Sequence, residues 1–192
     1  MNQIDRITDK TKPFMKYLAM ISDMDLINQV IYMLEYVVPN YFFIIPSSTT
    51  GKYHPQFALG EGGLVRHTCA AVEMALQLRD SGLYDDLLGT QAMDVVIASL
   101  VLHDTFKLGR IDGQEYITAA DHPFIAADEY AKTFPEADGL SPYNAHVYDC
   151  ILKHMGMFVP RDWPHGQPED EIEVFVHLCD YIVSRKIWDI AH

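Results

Sequence analysis

A histidine and an aspartate stand side by side at the end of an almost wholly apolar stretch that runs from Val95 to His103 and Asp104. Side chains that can carry a charge are costly to bury unless they are paired or bound to a cation. Imidazole and carboxylate ligands suit Mn, Fe, Co, Ni or Zn, and carboxylate with water suits Mg. The adjacent pair therefore indicates a site for a divalent metal ion.

Four more side chains of these two types are placed so that they can complete such a site. His67 lies on the apolar face of its predicted helix, one turn before Ala71. His154 and Asp180 also fall on apolar helical faces, and His122 begins a helix just before a proline. Each of them alone is more often a hydrogen-bonded core residue. A bound cation, however, would offset all of these burial costs at once.

Three other histidines compete for a place at this site. His146 is a rival for His154, although it lies off the inner face of the same predicted helix. His54 belongs to a loop that can approach the site, and His177 precedes Asp180 by one turn, where a supporting or surface role is expected.

Composition limits the classes of partner. The formal net charge of −13 disfavours an extended nucleic acid, which needs a basic face, but leaves room for a short nucleotide bound through a metal. No apolar run reaches the roughly 18 residues of a membrane span, and no signal-peptide core follows Met1, so we expect a cytoplasmic protein without a membrane partner. Three cysteines without CxxC spacing predict buried free thiols.

The elements that must position these residues are predicted to be helices, because apolar residues recur at three- and four-residue spacing. We expect one or two helices over 12–37, then helices over about 63–79, 91–103, from 122, 141–155 and 169–188. Residues 46–61, 105–121 and 156–169 are predicted loops, and Tyr41 to Ile45 a short strand or buried extended segment. This is an all-α fold, with an N-terminal helical extension over 1–49 packed on a domain formed by 50–192.

The order of His67, His103-Asp104 and Asp180 resembles the HD superfamily of metal-dependent phosphohydrolases. The similarity covers about residues 50–189, and its best stretches are GGLVRHT at 62–68, LVLHDTFK at 100–107 and HLCDYI at 177–182. The resemblance implies a single HD-domain helical bundle in which these four residues bind one metal ion.

The chain is most similar to the subgroup with two further histidines, here His122 and His154. The resemblance implies that these two hold a second metal ion and that Asp104 bridges the pair. Two divalent ions, from Mn, Fe, Co, Ni, Mg or Zn, are therefore expected, since such pairs suit phosphoryl chemistry. Whether one or both ions bind is left open by the sequence.

The implied activity is hydrolysis, by metal-activated water, of a phosphomonoester or phosphodiester of a nucleotide or short oligonucleotide. Asp104 and Lys107 are the expected catalytic residues. Substrate contacts are predicted for Lys107, Arg66, Arg161 and Trp163, the last two in a loop that can act as a lid. The motif also resembles stand-alone phage HD proteins and the HD domain of bacterial 3′-5′ exoribonucleases, which favours a bacterial or phage-encoded protein.

Two alternatives stay open. Many relatives read His-Asp-x-Gly-Lys, and this chain has Phe106 at the glycine position, so a non-catalytic HD module that binds metal and nucleotide in a regulatory role fits as well. A metal-stabilised domain that recruits a partner is the other alternative.

The glycine-rich 60–63 loop either faces an anion with its amides or forms a plain tight turn. The sequence does not determine the oligomeric state.

Overall fold

Helices provide all the regular secondary structure in the part of the chain that this computed structural model describes, residues 8–48, 50–110, 118–135, 142–159, 163 and 166–186. The α-helices of those ranges are α1 Met15–Leu18, α2 Met24–Tyr32, α3 Gly63–Asp80, α4 Thr90–Leu102, α5 His122–Thr133, α6 Asn144–Lys153 and α7 Glu171–Val183. The predicted all-α class is confirmed. Within the same ranges, no helix combines the length and the apolar character that a membrane crossing requires.

Tighter turns connect these helices. Short 3₁₀ segments cover Lys12–Phe14, Asn40–Phe43, Gln56–Ala58 and Gly156–Phe158, and a π-helical turn over Met33–Val37 extends α2. The prediction of a strand or extended segment over Tyr41 to Ile45 was wrong. The chain coils there because the Phe42 amide donates to the Pro39 carbonyl and the Ile45 amide to the Tyr41 carbonyl, which places the Phe42 ring in the core.

Helix boundaries agree with the predictions for α3, α4 and α5, but the last helix is shorter than expected. It ends at Val183 rather than near Trp188, which lies outside the described residues. The Ser184 hydroxyl donates to the Tyr181 carbonyl at 2.7 Å, and the Arg185 amide donates to the Ile182 carbonyl at 3.2 Å. Local serine bonds of this kind compete with helical hydrogen bonding. The chain therefore turns off the helix axis just before Arg185.

The central element of the molecule is α4. Its residues from Met93 to Leu102 are buried without interruption, as expected for a helix that is apolar on all sides. It packs against α1, α2, α3, α6 and α7, while α3 also packs on α7 and α5 packs on α6. The carboxyl end of α4, which carries His103 and Asp104, is consequently surrounded by other helices.

The N-terminal region joins this same core. Residues of α1, α2 and the Asn40–Phe43 turn belong to one continuous apolar cluster with α3 to α7. The Tyr41 hydroxyl donates to the Gly109 carbonyl at 2.5 Å and accepts from the Leu108 amide at 3.2 Å. The N-terminal region thus supports the turn that follows Asp104.

The start of α3 depends on two glycines. Gly62 has φ +69°, and a Cβ atom on Gly63 would lie 2.2 Å from the Ala58 carbonyl oxygen, so only glycine fits there. The amides of Gly62 and Leu64 donate to the Ile44 and Ile45 carbonyls, and the Gly63 amide donates to Gly60. These amides are used within the protein, which supports the tight-turn interpretation of the loop over the anion-binding one.

We predict that Asp94→Ala detaches α2 from α4. The buried Asp94 carboxylate accepts from the Ser22 amide, the Ser22 hydroxyl and the Asp23 amide at 2.6–3.2 Å. Hydrogen bonds to a charged group are among the stronger ones, so the free energy of unfolding should fall by about 2–4 kcal/mol. Urea denaturation followed by circular dichroism measures it.

The matched control is Asp86→Ala, which removes an exposed carboxylate and should change the free energy of unfolding by less than about 0.5 kcal/mol. Equal effects of the two substitutions would contradict an anchoring role for Asp94.

Candidate metal centre

The helices bring together six side chains that the sequence singled out. Five of them come from the second turn of α3, the carboxyl end of α4, the first residue of α5 and the C-cap of α6, and the sixth from the last turns of α7. In chain order they are His67, His103, Asp104, His122, His154 and Asp180. All are buried except Asp180, whose side chain retains 15% exposure.

One half of the cluster forms around the Oδ2 atom of Asp104. This oxygen lies 3.7 Å from His67 Nε2 and 3.5 Å from His103 Nε2. Asp180 Oδ1 completes the group, at 2.9 Å from His67 Nε2 and 3.6 Å from His103 Nε2. Four potential ligands therefore surround one small volume.

The other half forms around the Oδ1 atom of the same carboxylate. His122 Nε2 lies 3.1 Å from this oxygen, and His154 Nε2 lies 3.6 Å from it. The two imidazole nitrogens are 3.3 Å apart. Asp104 is thus shared between two groups of potential ligands, one on each of its oxygens.

Backbone carbonyls fix three of the imidazole rings. In each case Nδ1 donates to the carbonyl three residues earlier: His103 to Leu100 at 2.7 Å, His122 to Ala119 at 2.8 Å and His154 to Ile151 at 2.7 Å. A histidine that donates through one nitrogen presents the lone pair of the other to a metal. The shared arrangement directs three Nε2 atoms at Asp104.

Unpartnered buried atoms show what the cluster can hold. His103 Nε2 and Asp104 Oδ1 are buried and, although His122 Nε2 lies 3.1 Å from Oδ1, neither atom makes a well-oriented hydrogen bond within the described ranges. Such groups are rare unless an ion or a water satisfies them. The sets His67, His103, Asp180 and His103, Asp104, His154 each bring one ligand atom per residue within 4.8 Å of the others. These donors fit a divalent metal ion.

The titration of the cluster reflects burial opposed by charge. Burial raises the pKa of Asp104, but Lys107 and His103 outweigh it and hold that pKa well below its usual range. Burial likewise opposes a charge on His103, yet Asp104 and Asp180 raise its pKa to about 10, so a metal ion that binds this ring must displace a proton. For His154 burial dominates and lowers the pKa to about 4, so this ring is neutral at pH 7 and its Nε2 can bind a cation.

The cluster opens into a cavity of about 730 Å³, a volume in the range of small-molecule sites. Asp180, His122 and Lys107 line it together with His54. The Lys107 ammonium lies 2.5 Å from Asp104 Oδ2, so it contacts the shared carboxylate and the cavity at once. Phe106 at the neighbouring position is buried in the core.

The predicted substrate residues are placed differently. All three guanidinium nitrogens of Arg66 donate to backbone carbonyls, those of Phe57, Leu59 and Glu61, at 2.6–2.8 Å. This side chain therefore holds the 57–61 loop, and its role in substrate binding stays a prediction. Arg161 lies outside the described residues.

Trp163 lines a second cavity of about 600 Å³ together with Tyr148 and Phe124, and its ring centroid is 6.3 Å from that of Phe124. None of the residues that line this second cavity lines the one above the cluster. Trp163 therefore lies at a different cavity from the cluster, and its stacking on a substrate base stays a prediction.

The remaining histidines surround the cluster at greater distance. The His54 ring lies 5.5 Å from that of His67, and burial, together with the positive charge of neighbours, lowers its pKa to about 4. His177 Nδ1 donates to the His154 carbonyl at 2.6 Å, which is the supporting role expected of it. His146 pairs with Asp170 at 3.0 Å, away from the six residues.

Sequence reasoning missed a group at the rim of the cavity. Arg185 and three aromatic residues, Tyr53, Phe158 and Tyr181, line it beside His177 and Asp180. The Arg185 guanidinium stacks 4.1 Å above the Tyr181 ring. The only signal for Arg185 in the sequence was its position five residues after Asp180. On the continuous helix that was predicted, this spacing would have placed Arg185 on a different face from Asp180.

We compared the chain with protein-family models, curated proteins and solved structures, and none of them matches it.

We predict that a divalent cation stabilises the folded protein through this cluster. A cation at a hundred times its dissociation constant contributes about 2.7 kcal/mol, which corresponds to a rise in melting temperature of roughly 5–10 °C for a chain of this size. Asp104→Asn should abolish this shift, because the shared carboxylate contacts both groups of ligands. Differential scanning fluorimetry with EDTA, Mn²⁺, Co²⁺, Ni²⁺, Zn²⁺ or Mg²⁺ measures it.

His146→Ala serves as the control, since it removes a histidine outside the cluster, from α6, the helix that His154 caps. This variant should keep the full shift. A shift that persists in Asp104→Asn, or the lack of any shift in the unaltered protein, would rule out the metal centre.

Proposed function

We propose that the protein is a metal-dependent phosphohydrolase of the HD superfamily that acts on a phosphate ester of a nucleotide. One observation carries the proposal. The two oxygens of the buried Asp104 carboxylate face two separate groups of imidazoles, and both groups lie beneath a cavity of small-molecule size. A carboxylate shared by two groups of ligands next to an open cavity favours a site that acts on a bound ligand over a site that holds an ion only for stability.

Charge explains why a phosphate needs cations here. Asp104 and Asp180 are ionised, because their pKa values lie well below the usual range, and they repel an anion at the floor of the cavity. His67, His103 and Asp180 can hold one divalent ion, and His122 and His154 a second one shared through Asp104. Such ions act as Lewis acids toward phosphate and lower the pKa of water.

The residues of the chain have distinct parts in this proposal. Asp104 holds the cations, and its burial strengthens every electrostatic interaction around it. The Lys107 ammonium at the cavity floor offsets charge on the phosphoryl oxygens as a point charge. His54 is neutral at pH 7 and can hydrogen-bond to the ligand without adding charge.

A second candidate is a binding module that holds metal and nucleotide without turnover. The contact between Lys107 and Asp104 Oδ2 favours it, since an ammonium already engaged by a carboxylate is less free to act on a substrate. The two candidates differ in a measurable way: both predict ligand binding that depends on the cluster, and only the first predicts release of product.

We predict hydrolysis by purified protein reloaded with Mn²⁺, Co²⁺, Ni²⁺ or Mg²⁺. The assay screens nucleoside monophosphates, cyclic nucleotides, dinucleotides and short single strands for phosphate or nucleotide release. Lys107→Met should lower kcat about a hundredfold, as for the loss of one group that stabilises developing charge. The double variant His103→Ala, Asp104→Ala should be inactive.

Activity that survives in the double variant would come from a contaminant and would remove the support for the proposal. Metal-dependent ligand binding with no product from any substrate class would favour the binding module instead. Lys186→Met, which removes an exposed lysine, is the control for the charge lost in Lys107→Met and should leave kcat unchanged.

A further inference from the structure

We infer that Arg185 and the rings around it form a subsite for a second phosphate group of the substrate, at the rim of the cavity. This inference rests on the proposed function, and it narrows the substrate class to nucleotides that carry one phosphate at the cluster and another beyond it.

The aromatic residues hold the guanidinium in place. Its central carbon lies 4.1 Å from the Tyr181 ring centroid, 5.2 Å from that of Phe158 and 5.8 Å from that of Tyr53. The Phe158 and Tyr181 rings are themselves nearly parallel, with an interplanar angle of 10° and centroids 5.6 Å apart. A guanidinium that stacks on a ring face keeps its edge N–H groups free to bind a phosphate.

Arg185 lacks the partners that a structural arginine usually has. Its Nε atom is buried without a hydrogen-bond partner, and no carboxylate in the described ranges forms an ion pair with the side chain. A donor that is withdrawn from water and left unpaired indicates a missing acceptor. Since the side chain lines the cavity, that acceptor can come from a bound ligand.

The position of Arg185 separates this subsite from the cluster. It lies five residues beyond Asp180 in the chain, on the turn that follows the end of α7. The turn at Ser184 then brings the side chain back over the cavity instead of continuing α7. The ring contacts and the unpaired Nε atom of Arg185 do not involve a residue of the cluster, so this side chain is available for a second phosphate group of a nucleotide whose first phosphate binds at the cluster.

The chemistry of the rim suits such a nucleotide. Arginine binds phosphate through two parallel N–H donors, which gives geometric selectivity as well as attraction. Tyr53 and Phe158 line the same cavity and are 54% and 48% exposed, so the aromatic surface that Arg185 leaves uncovered can contact a base.

Isothermal titration calorimetry on the full chain loaded with Mn²⁺ tests the inference. The probes are phosphonate analogues of adenosine 5′-monophosphate and adenosine 3′,5′-bisphosphate, in which a methylene group replaces each ester oxygen and prevents hydrolysis. Arg185→Met keeps the apolar contact with Tyr181 but removes the charge. It should raise the Kd of the bisphosphate analogue about tenfold or more and that of the monophosphate analogue less than about threefold.

Two further variants calibrate this result. Arg185→Lys keeps the charge but loses the paired donors, so its Kd for the bisphosphate analogue should be intermediate. Lys186→Met removes the exposed neighbouring charge and should bind both analogues as the unaltered protein does. The Mn²⁺-dependent rise in melting temperature reports that the cluster is intact in each variant.

The inference is overturned if Arg185→Met weakens both analogues equally, if it weakens neither, or if the unaltered protein does not prefer the bisphosphate. Because binding is measured without turnover, the two proposals fail separately. Selective binding that depends on Arg185 in a protein without hydrolytic activity would support the subsite and reject the phosphohydrolase.

Discussion

The burial of one ionised carboxylate governs the arrangement of the interior. Asp104 is 1% exposed, and an unpaired charge at that depth would be severely unfavourable. The elements around it contribute compensating groups: imidazoles from three other helices, the adjacent His103 and the ammonium of Lys107. The packing of the helices keeps these groups within about 4 Å of the Asp104 carboxylate. At this distance charges in a buried site interact strongly.

The ends of three helices fix the orientation of imidazole rings in this cluster. His103 and His154 follow the last residues of α4 and α6, and His122 begins α5. At each of these ends the imidazole donates to a carbonyl three residues earlier. A local hydrogen bond to the backbone therefore orients a side chain toward groups that are distant in sequence. His177 adds a further constraint by holding the His154 carbonyl itself. Donor atoms oriented in this way could receive a metal ion with little rearrangement of the backbone.

The sequence predicted the helices and the convergence of the six cluster residues well, and the other contacts between segments poorly. Apolar spacing placed His67 and Asp180 on inward faces, because helical periodicity is a local property. It gave no indication that Arg66 would hold the loop before α3, or that Trp163 would line a separate cavity, since both depend on how distant segments pack. The end of α7 was misplaced by about five residues, because a serine side chain, rather than a change in periodicity, terminates it.

That misplaced helix end has a consequence for the electrostatics of the cavity. The chain is strongly acidic overall; the ionised Asp180 lines the cavity, and the ionised Asp104 is buried next to the Lys107 ammonium that lines it. In the proposed function, bound cations reverse the sign of the potential at the floor, and only then does the cavity attract a phosphate. Lys107 is engaged by Asp104, so Arg185 is the cation of the rim that is free of a carboxylate among the described residues that line the cavity. The early end of α7 therefore places a positively charged side chain in the lining of the cavity, five residues along the chain from Asp180.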